Sequence, residues 1–449
     1  MLRISLIFRI LKSLIDSDNQ VYTYKITLFF NILQHRLCKY KIKVLSLHQL
    51  QKLGMEVFFR THTNLVEHTN ASVRRTLMDE IDWNDRMIGI KGTRGIGKTT
   101  FLLQYAKDNF GANDRQCLYI NMNNFYFQGR GISDFAGEFY RNGGRVLLID
   151  QVFKQHDWSK ELRKCYDQYP SLKIIFTGSS VMRLKEENPE LHGIVKSYNL
   201  RGFSFREFLN LQTGNNFVSY SLEDILNNHE HIVKTILPKV SPNRYFPDYI
   251  HHGFYPFYLE HRNYSENLLK TMNMITEVDI LLIKQIELKY LTKIKKLFYQ
   301  LAMDGPKAPN ISQLANDIET SRATVMNYIK YLADARLINI IYPTGVEFPK
   351  KPTKVMMHNS NLMYAIYPIK VERQDTMETF FVNSLWKDHK VNLGSRENFY
   401  LVDNKLKFRI CNADAMSKIH PTPDTIYARY NTEIGKGNQI PLWLFGFLY

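Results

Sequence analysis

Cysteine is scarce in this chain. Four occur in 449 residues (Cys38, Cys117, Cys165 and Cys411), and no two stand at CxxC spacing. That argues against a disulfide scaffold or a zinc site and fits a reducing, cytoplasmic location. Long apolar runs are missing too. No stretch approaches the ~20 residues that span a bilayer, so no transmembrane segment is expected. No small-residue cleavage site follows a clean apolar run, which makes a signal peptide a poor reading. Acidic residues are in deficit: 43 Asp/Glu against 59 Lys/Arg leave a formal charge of +16. Such an excess favours anionic partners without choosing among nucleotide, nucleic acid and membrane surface. Much of it sits at the start, where residues 1–54 hold nine Lys/Arg and two Asp/Glu. The rest of the chain is not unusually basic, so charge alone makes a weak case for DNA.

What is present points to a folded, multidomain protein. Hydrophobic residues are 44% and charged residues 23%, with 27 tyrosines and 28 phenylalanines to build cores. That composition is globular, and the length suits two or three domains. Residues 1–54 read as a basic extension outside the folded core, with an amphipathic surface helix as the alternative. Met55-Glu56-Val57-Phe58-Phe59 reads as a fresh start.

The strongest motif is Gly92-Thr93-Arg94-Gly95-Ile96-Gly97-Lys98-Thr99, an ungapped match to GxxxxGK[ST]. An apolar run, Met87–Ile90, precedes it as a buried strand, and Thr100–Ala106 follows as a helix. Glycines 92, 95 and 97 let the backbone turn tightly and aim N–H groups at phosphate oxygens. The helix start adds favourable charge. Thr100 belongs to the same nucleotide-binding turn. Lys98 is expected at the β- and γ-phosphates, and Thr99 on Mg²⁺. Arg145-Val146-Leu147-Leu148-Ile149-Asp150 supplies the second element, an apolar strand ending in an acid for the Mg²⁺ shell. Cys117–Asn121 and Leu172–Ser180 read as further core strands. Ser179 or Ser180 would sense the γ-phosphate or position water; a simple strand-end cap is the competing reading. Gln151 follows the acid. A glutamine hydrogen-bonds water but cannot act as a general base, so nucleotide binding with slow or absent hydrolysis is expected. The alternative is that glutamine orients water well enough.

These segments, with His156-Asp157-Trp158-Ser159, Leu200–Leu209, Gly253-Phe254-Tyr255-Pro256-Phe257 and Ile440–Tyr449, give the chain a specific resemblance. Over roughly residues 55–449 it resembles the prokaryotic AAA-like ATPases whose P-loop domain precedes a winged helix and a small nuclease-like domain. It looks like a divergent member. The resemblance implies an α/β fold: a P-loop parallel sheet over residues 55–210, a helical lid or connector over 211–300, a winged helix over 301–350 and a degenerate nuclease-like α/β domain over 351–449. It implies ATP and Mg²⁺ as cofactors. Gln151 stands where that family usually has a catalytic glutamate. Leu191–Val195 stands where an arginine-bearing stretch is usual, with Lys196 and Arg201 as nearby substitutes. His156 and Trp158 are expected to pack the helix after the acid strand.

Ser221 should cap a helix carrying Leu222, Ile225 and Leu226, with Glu223 and Asp224 in its first turn. Residues 311–333 follow a helix-turn-helix pattern, with Ser321 capping the second helix and Arg322, Thr324, Asn327 and Lys330 as candidate DNA-reading residues. Leu337–Tyr342 and Val346–Phe348 are expected to form the wing. Residues 308–350 hold four basic and four acidic side chains, which favours a relay or packing module over a DNA reader. In the last part, Asn398 and Arg409 fall where a nuclease would need carboxylates, so a working nuclease is not expected; Glu378 reads as structural. The uncharged tail Ile440–Tyr449 should be buried. The leading expectation is an ATP-binding protein with weak Mg²⁺-dependent hydrolysis. In it, Lys98, Asp150, Gln151 and Ser179 serve the reaction, which is coupled to domain movement. A non-hydrolysing nucleotide-gated scaffold and a DNA-associated ATPase are the alternatives. A protein partner or self-association is compatible with each.

Overall fold

The computed structural model describes residues 47–70, 73–182, 184, 187–260, 263–394, 398–414 and 421–449. Most of the basic extension, and Cys38, lie outside them. The chain divides into two compact units, 1–60 and 61–449. Helix α1 (Leu47–His68) runs unbroken through Met55, so the fresh start suggested there is not an element boundary. Everything below belongs to the larger unit.

Five short apolar runs build a fully parallel sheet: β1 (Met87–Lys91), β2 (Cys117–Asn121), β3 (Val146–Asp150), β4 (Lys173–Gly178) and β5 (Lys196–Asn199), in the order β2-β3-β4-β1-β5. Every residue of β3 is buried, as interior parallel strands covered on both faces require. Helices α2 (Lys98–Asn109), α3 (Ile132–Arg141) and α4 (Trp158–Gln168) connect the strands. Trp158 packs against Phe176 of β4, their rings 6.0 Å apart, as expected, but His156 does not pack: it is exposed beside Asp157, in the turn before α4. Because β4 lies between β1 and β3, its end faces the loop after one and the acid of the other. Ligand crevices in such sheets lie outside the carboxyl ends of the strands.

Helix α5 (Phe205–Thr213) opens on a capping box between Ser204 and Glu207. Helix α6 (Leu222–Ile236) opens on a second one, Ser221 with Asp224, as the sequence suggests. Ser221→Ala removes one cap bond from an exposed helix start, and a thermal melt is expected to show a loss of about 1 kcal/mol. Helix α7 (Tyr264–Met274) continues through a π-helical turn, Ile275–Ile280, into Leu281–Lys284. Helices α8 (Leu291–Asp304), α9 (Ile311–Asp317) and α10 (Arg322–Asp334) follow. The turn from α9 to α10 and the Ser321 cap, which accepts from Thr324 N–H at 3.1 Å, agree with the sequence pattern.

The wing expected from Val346–Phe348 is corrected. Strand β6 (Ile338–Ile341) pairs antiparallel with β7 (Lys354–Met357), and residues 346–348 lie in the intervening loop. The apolar run Val355-Met356-Met357 offers more surface to bury than Val346-Glu347-Phe348, which carries a charge. Asn361, on helix α11 (Ser360–Ile366), ties the segment before α7 to this region. Its side chain accepts from Phe254 N–H at 2.9 Å and Tyr264 O–H at 2.6 Å, and donates to the Ile250 carbonyl at 2.8 Å.

The last part is a mixed sheet of β8 (Val391–Leu393), β9 (Phe399–Val402), β10 (Leu406–Asn412), β11 (Thr425–Tyr430) and β12 (Gln439–Pro441). Helix α12 (Arg373–Leu385) packs on it through Phe381, which meets Phe408 at 5.2 Å and Phe445 at 5.1 Å. The uncharged tail supplies β12 and a 3₁₀ turn, Leu442–Phe447, that is buried throughout. Glu378 is buried and accepts from Lys354 Nζ at 2.9 Å and Tyr400 O–H at 2.6 Å, so its role here is structural. Arg409 lies opposite Phe399 across the β9–β10 ladder. Among the described residues, no group of three or more His, Cys, Asp or Glu could hold a metal, and no helix is long and apolar enough to cross a membrane. Cys117, Cys165 and Cys411 are buried.

Candidate nucleotide site

The loop between β1 and α2 turns through two left-handed glycines, Gly95 at φ 78° and Gly97 at φ 88°. A Cβ at Gly95 would lie 2.9 Å from the Phe257 ring, so this glycine is required by both backbone and neighbour. Gly92 is equally confined: a Cβ there would lie 2.6 Å from the Leu200 carbonyl. Lys98 folds back over the loop and donates to the carbonyls of Gly92 and Thr93, at 2.8 and 2.7 Å. It therefore spans the turn in the place where phosphate oxygens would be held. Desolvation pushes its ammonium down to about 8, with Arg94 adding to the effect and Asp150 and Asp279 opposing it.

That shift has a consequence for binding. Phosphate oxygens would stabilise the charged ammonium, so above pH 8 binding must take up a proton. Below that pH the ammonium is already charged, so Lys98 adds no pH dependence to nucleotide affinity; above it affinity is expected to fall, by at most about tenfold per unit. A pH series of binding isotherms would measure this, and the fall should vanish in Lys98→Met.

Asp150, 1% exposed, is the hub. Its Oδ2 accepts from Thr99 Oγ1 at 2.7 Å, from Tyr119 O–H at 2.9 Å and from Asn121 Nδ2 at 3.3 Å. Its Oδ1 accepts from the Thr177 hydroxyl, which in turn accepts from Gln151 N–H at 2.9 Å. The predicted pair Thr99–Asp150 is thus in contact. A hydroxyl and a carboxylate oxygen side by side are the hard donors that suit Mg²⁺ completed by phosphate and water. Burial pushes the Tyr119 hydroxyl far up, with the Asp150 charge acting the same way, so it remains a donor to the carboxylate.

Gln151 takes a left-handed backbone, φ 57°, at the turn after β3. Its Oε1 is buried without a hydrogen-bond partner. Ser179, at the end of β4, does not contact Asp150; it donates to Asp279 Oδ2 at 2.9 Å. Ser180 Oγ is buried and without a partner, so of the two serines it is Ser179 that joins the site. Thr100 is exposed at the start of α2 and also lines the cavity.

These groups share one cavity of about 620 Å³, lined by Gly95, Gly97, Lys98, Thr99, Thr100, Asp150, Gln151 and Ser179 among others. Val73, Met78, Phe203 and Phe257 add apolar wall, and Asn70 and Gln104 add polar groups. Arg201 is not part of it. Its guanidinium donates to the Asn383 carbonyl at 2.7 Å and lies over the Tyr449 ring, so it does not stand in for an arginine at the phosphates. Lys196, exposed on edge strand β5, is likewise outside the cavity lining.

Sequence reasoning missed Tyr119, Asn121 and Thr177. The signal was present: residues 119 and 121 share one face of β2, and 177 and 179 share one face of β4, by the two-residue period of a strand. It also missed Arg94 and Asp279, whose guanidinium and carboxylate meet at 2.7 Å. A partner 185 residues away in sequence leaves no local signal.

Loop, acid strand and parallel sheet together match a generic P-loop NTPase-like architecture. A family model described as an AAA domain matches residues 84–209. A second, described as a domain of unknown function (DUF8612), matches residues 243–372. The chain is similar to the uncharacterized protein MJ1637 of Methanocaldococcus jannaschii, 30% identical over 285 residues, which cover 60% of this chain and 59% of that protein. It thus spans well under two thirds of that relative's length. Among solved structures, the Aeropyrum pernix Orc1 protein in complex with DNA aligns at 10% identity, TM-score 0.26, over 70% of this chain and 92% of that one. PCH-2 of C. elegans aligns at 14% identity, TM-score 0.22, over 64% and 68%.

Proposed function

We propose that the protein binds ATP with Mg²⁺ in this cavity, hydrolyses it slowly, and couples occupancy to movement of the helices that follow. The observation that carries the reading is the contact between Thr99 and Asp150 beside Lys98, at the mouth of a built phosphate loop. Mg²⁺ held by Thr99 and Asp150 would neutralise phosphate charge. Lys98 would exchange its loop carbonyls for phosphate oxygens. Thr177 and Tyr119 hold Asp150 in place, and Gln151, which lines the cavity, would orient the attacking water once its carboxamide turns toward it. A carboxamide accepts a hydrogen bond but takes no proton, which is why turnover should be slow. The apolar wall formed by Val73, Met78 and Phe203 suits a planar base.

A second reading, a nucleotide-gated scaffold without turnover, is favoured by Gln151 itself. Phosphate release measured beside direct binding separates the two: binding with release supports the ATPase, and binding alone supports the scaffold. Absence of binding removes both. We read α8–α10 with β6–β7 as a winged helix, which extends the 301–350 expected from sequence to 291–357. A DNA role gains little: Lys330 is paired with Asp334 at 3.0 Å, which reduces the basic character of the recognition helix. The tethering of Phe254 and Tyr264 to Asn361 supports an internal relay instead.

A further inference from the structure

A carboxylate in a phosphate site needs a reason. Asp279 is 1% exposed and lines the same cavity as Lys98 and Gln151. Its Oδ1 accepts from Arg94 Nε at 2.9 Å and Nη2 at 2.7 Å; its Oδ2 accepts from Ser179 Oγ at 2.9 Å. Arg94 comes from the phosphate loop and Ser179 from the end of β4. These are two of the groups a terminal phosphate would meet, and one side chain occupies both.

The placement is specific. Asp279 stands in the π-helical turn Ile275–Ile280, an uncommon geometry that often marks functional positions. Ile275, Thr276 and Ile280 of that turn are buried, so the acid is held from a packed helix and not from a loose loop. Thr271, one turn before it, lies 3.4 Å from the position of a Cβ on Gly95.

We propose that Asp279 is a built-in competitor of the terminal phosphate, which makes the site discriminate between nucleoside triphosphate and diphosphate. This deepens the nucleotide reading and rests on it. The carboxylate offers Arg94 and Ser179 the same anionic oxygens that a γ-phosphate offers. Both anions cannot hold those donors at once, and their like charges repel. A triphosphate therefore displaces Asp279 and releases its helical turn; a diphosphate, which ends short of these donors, leaves the latch closed. The displaced turn leads through Leu281–Lys284 into α8, which gives the nucleotide state a route to the helices behind.

Removing the charge should favour the triphosphate. In the full chain, Asp279→Asn is expected to tighten binding of a non-hydrolysable ATP analogue with Mg²⁺ by at least about tenfold, with little change for ADP. Hydrogen exchange on the unaltered chain gives an independent readout. Amides of Ile275–Lys284 should exchange faster with the triphosphate analogue than with ADP. An unchanged affinity ratio in Asp279→Asn, or equal exchange with the two nucleotides, overturns the latch while binding itself stands. Loss of phosphate release in Asp279→Asn at unchanged affinity overturns it in favour of Asp279 as the base that Gln151 is not. If the unaltered chain binds neither nucleotide, the underlying reading fails and the latch with it.

Discussion

Lys98→Ala should cost the protein its nucleotide. Lys98 already crosses the phosphate loop, donating to two of the loop's own carbonyls at 2.8 and 2.7 Å. Alanine removes the ammonium and leaves the loop backbone its N–H groups. What is lost is a charge-assisted contact in a partly desolvated site, where such contacts are strongest. Affinity for ATP with Mg²⁺ is expected to drop by about 100-fold or more, and any phosphate release with it. The Gly92 and Thr93 carbonyls lose a side-chain partner, but the two left-handed glycines of the loop keep its backbone turn, so the fold should persist. Isothermal titration beside a thermal melt makes the distinction. Weak binding at an unchanged melting temperature supports the site. Undiminished binding would place the nucleotide, if any, elsewhere.

Gln151→Glu should raise turnover. The side chain lies next to the acid strand's end, its Oε1 buried and unpartnered. Glutamate keeps the shape, the left-handed backbone already adopted at φ 57°, and the acceptor. It adds what glutamine lacks, a group able to take the proton of an attacking water. General-base catalysis contributes roughly 100-fold or more where geometry is right. The opposing effect is a second negative charge close to Asp150, which bound Mg²⁺ would offset. The expected result is phosphate release about two orders of magnitude faster under saturating ATP and Mg²⁺, with affinity little changed. No gain would mean that Arg94, held by Asp279, is withdrawn from the transition state, or that the arginine missing from 191–195 limits the rate.

Much of this was legible in the chain. The GxxxxGK[ST] stretch fixes its own turn, because glycine takes the left-handed backbone that two of its positions adopt without the steric penalty a side chain brings. The apolar run ending in Asp150 could only be a buried strand, and so the acid had to emerge at the sheet's carboxyl edge. Ser204, Ser221 and Ser321 cap helices through bonds that span three residues, which makes them readable from local spacing.

Other features depend on what lies far away in sequence. Val346–Phe348 lost the pairing with β6 to Lys354–Met357, because strand pairing rewards the run that buries more surface on both sides, and spacing does not encode that. Arg201 was a reasonable arginine for the phosphates until packing turned it toward Asn383. Tyr119 and Thr177 became partners of Asp150 only when β2, β3 and β4 came into register. Asp279 is the clearest case. Its meeting with Arg94 and Ser179 requires a helix more than 100 residues past the acid strand to pack over the loop. Sequence by itself determined the phosphate loop, the acid strand and the helix starts, since those rest on backbone conformation and nearest neighbours. Tertiary structure alone decided which charges face the cavity, because a buried ion pair exists only where two distant segments are brought within about 3 Å of each other.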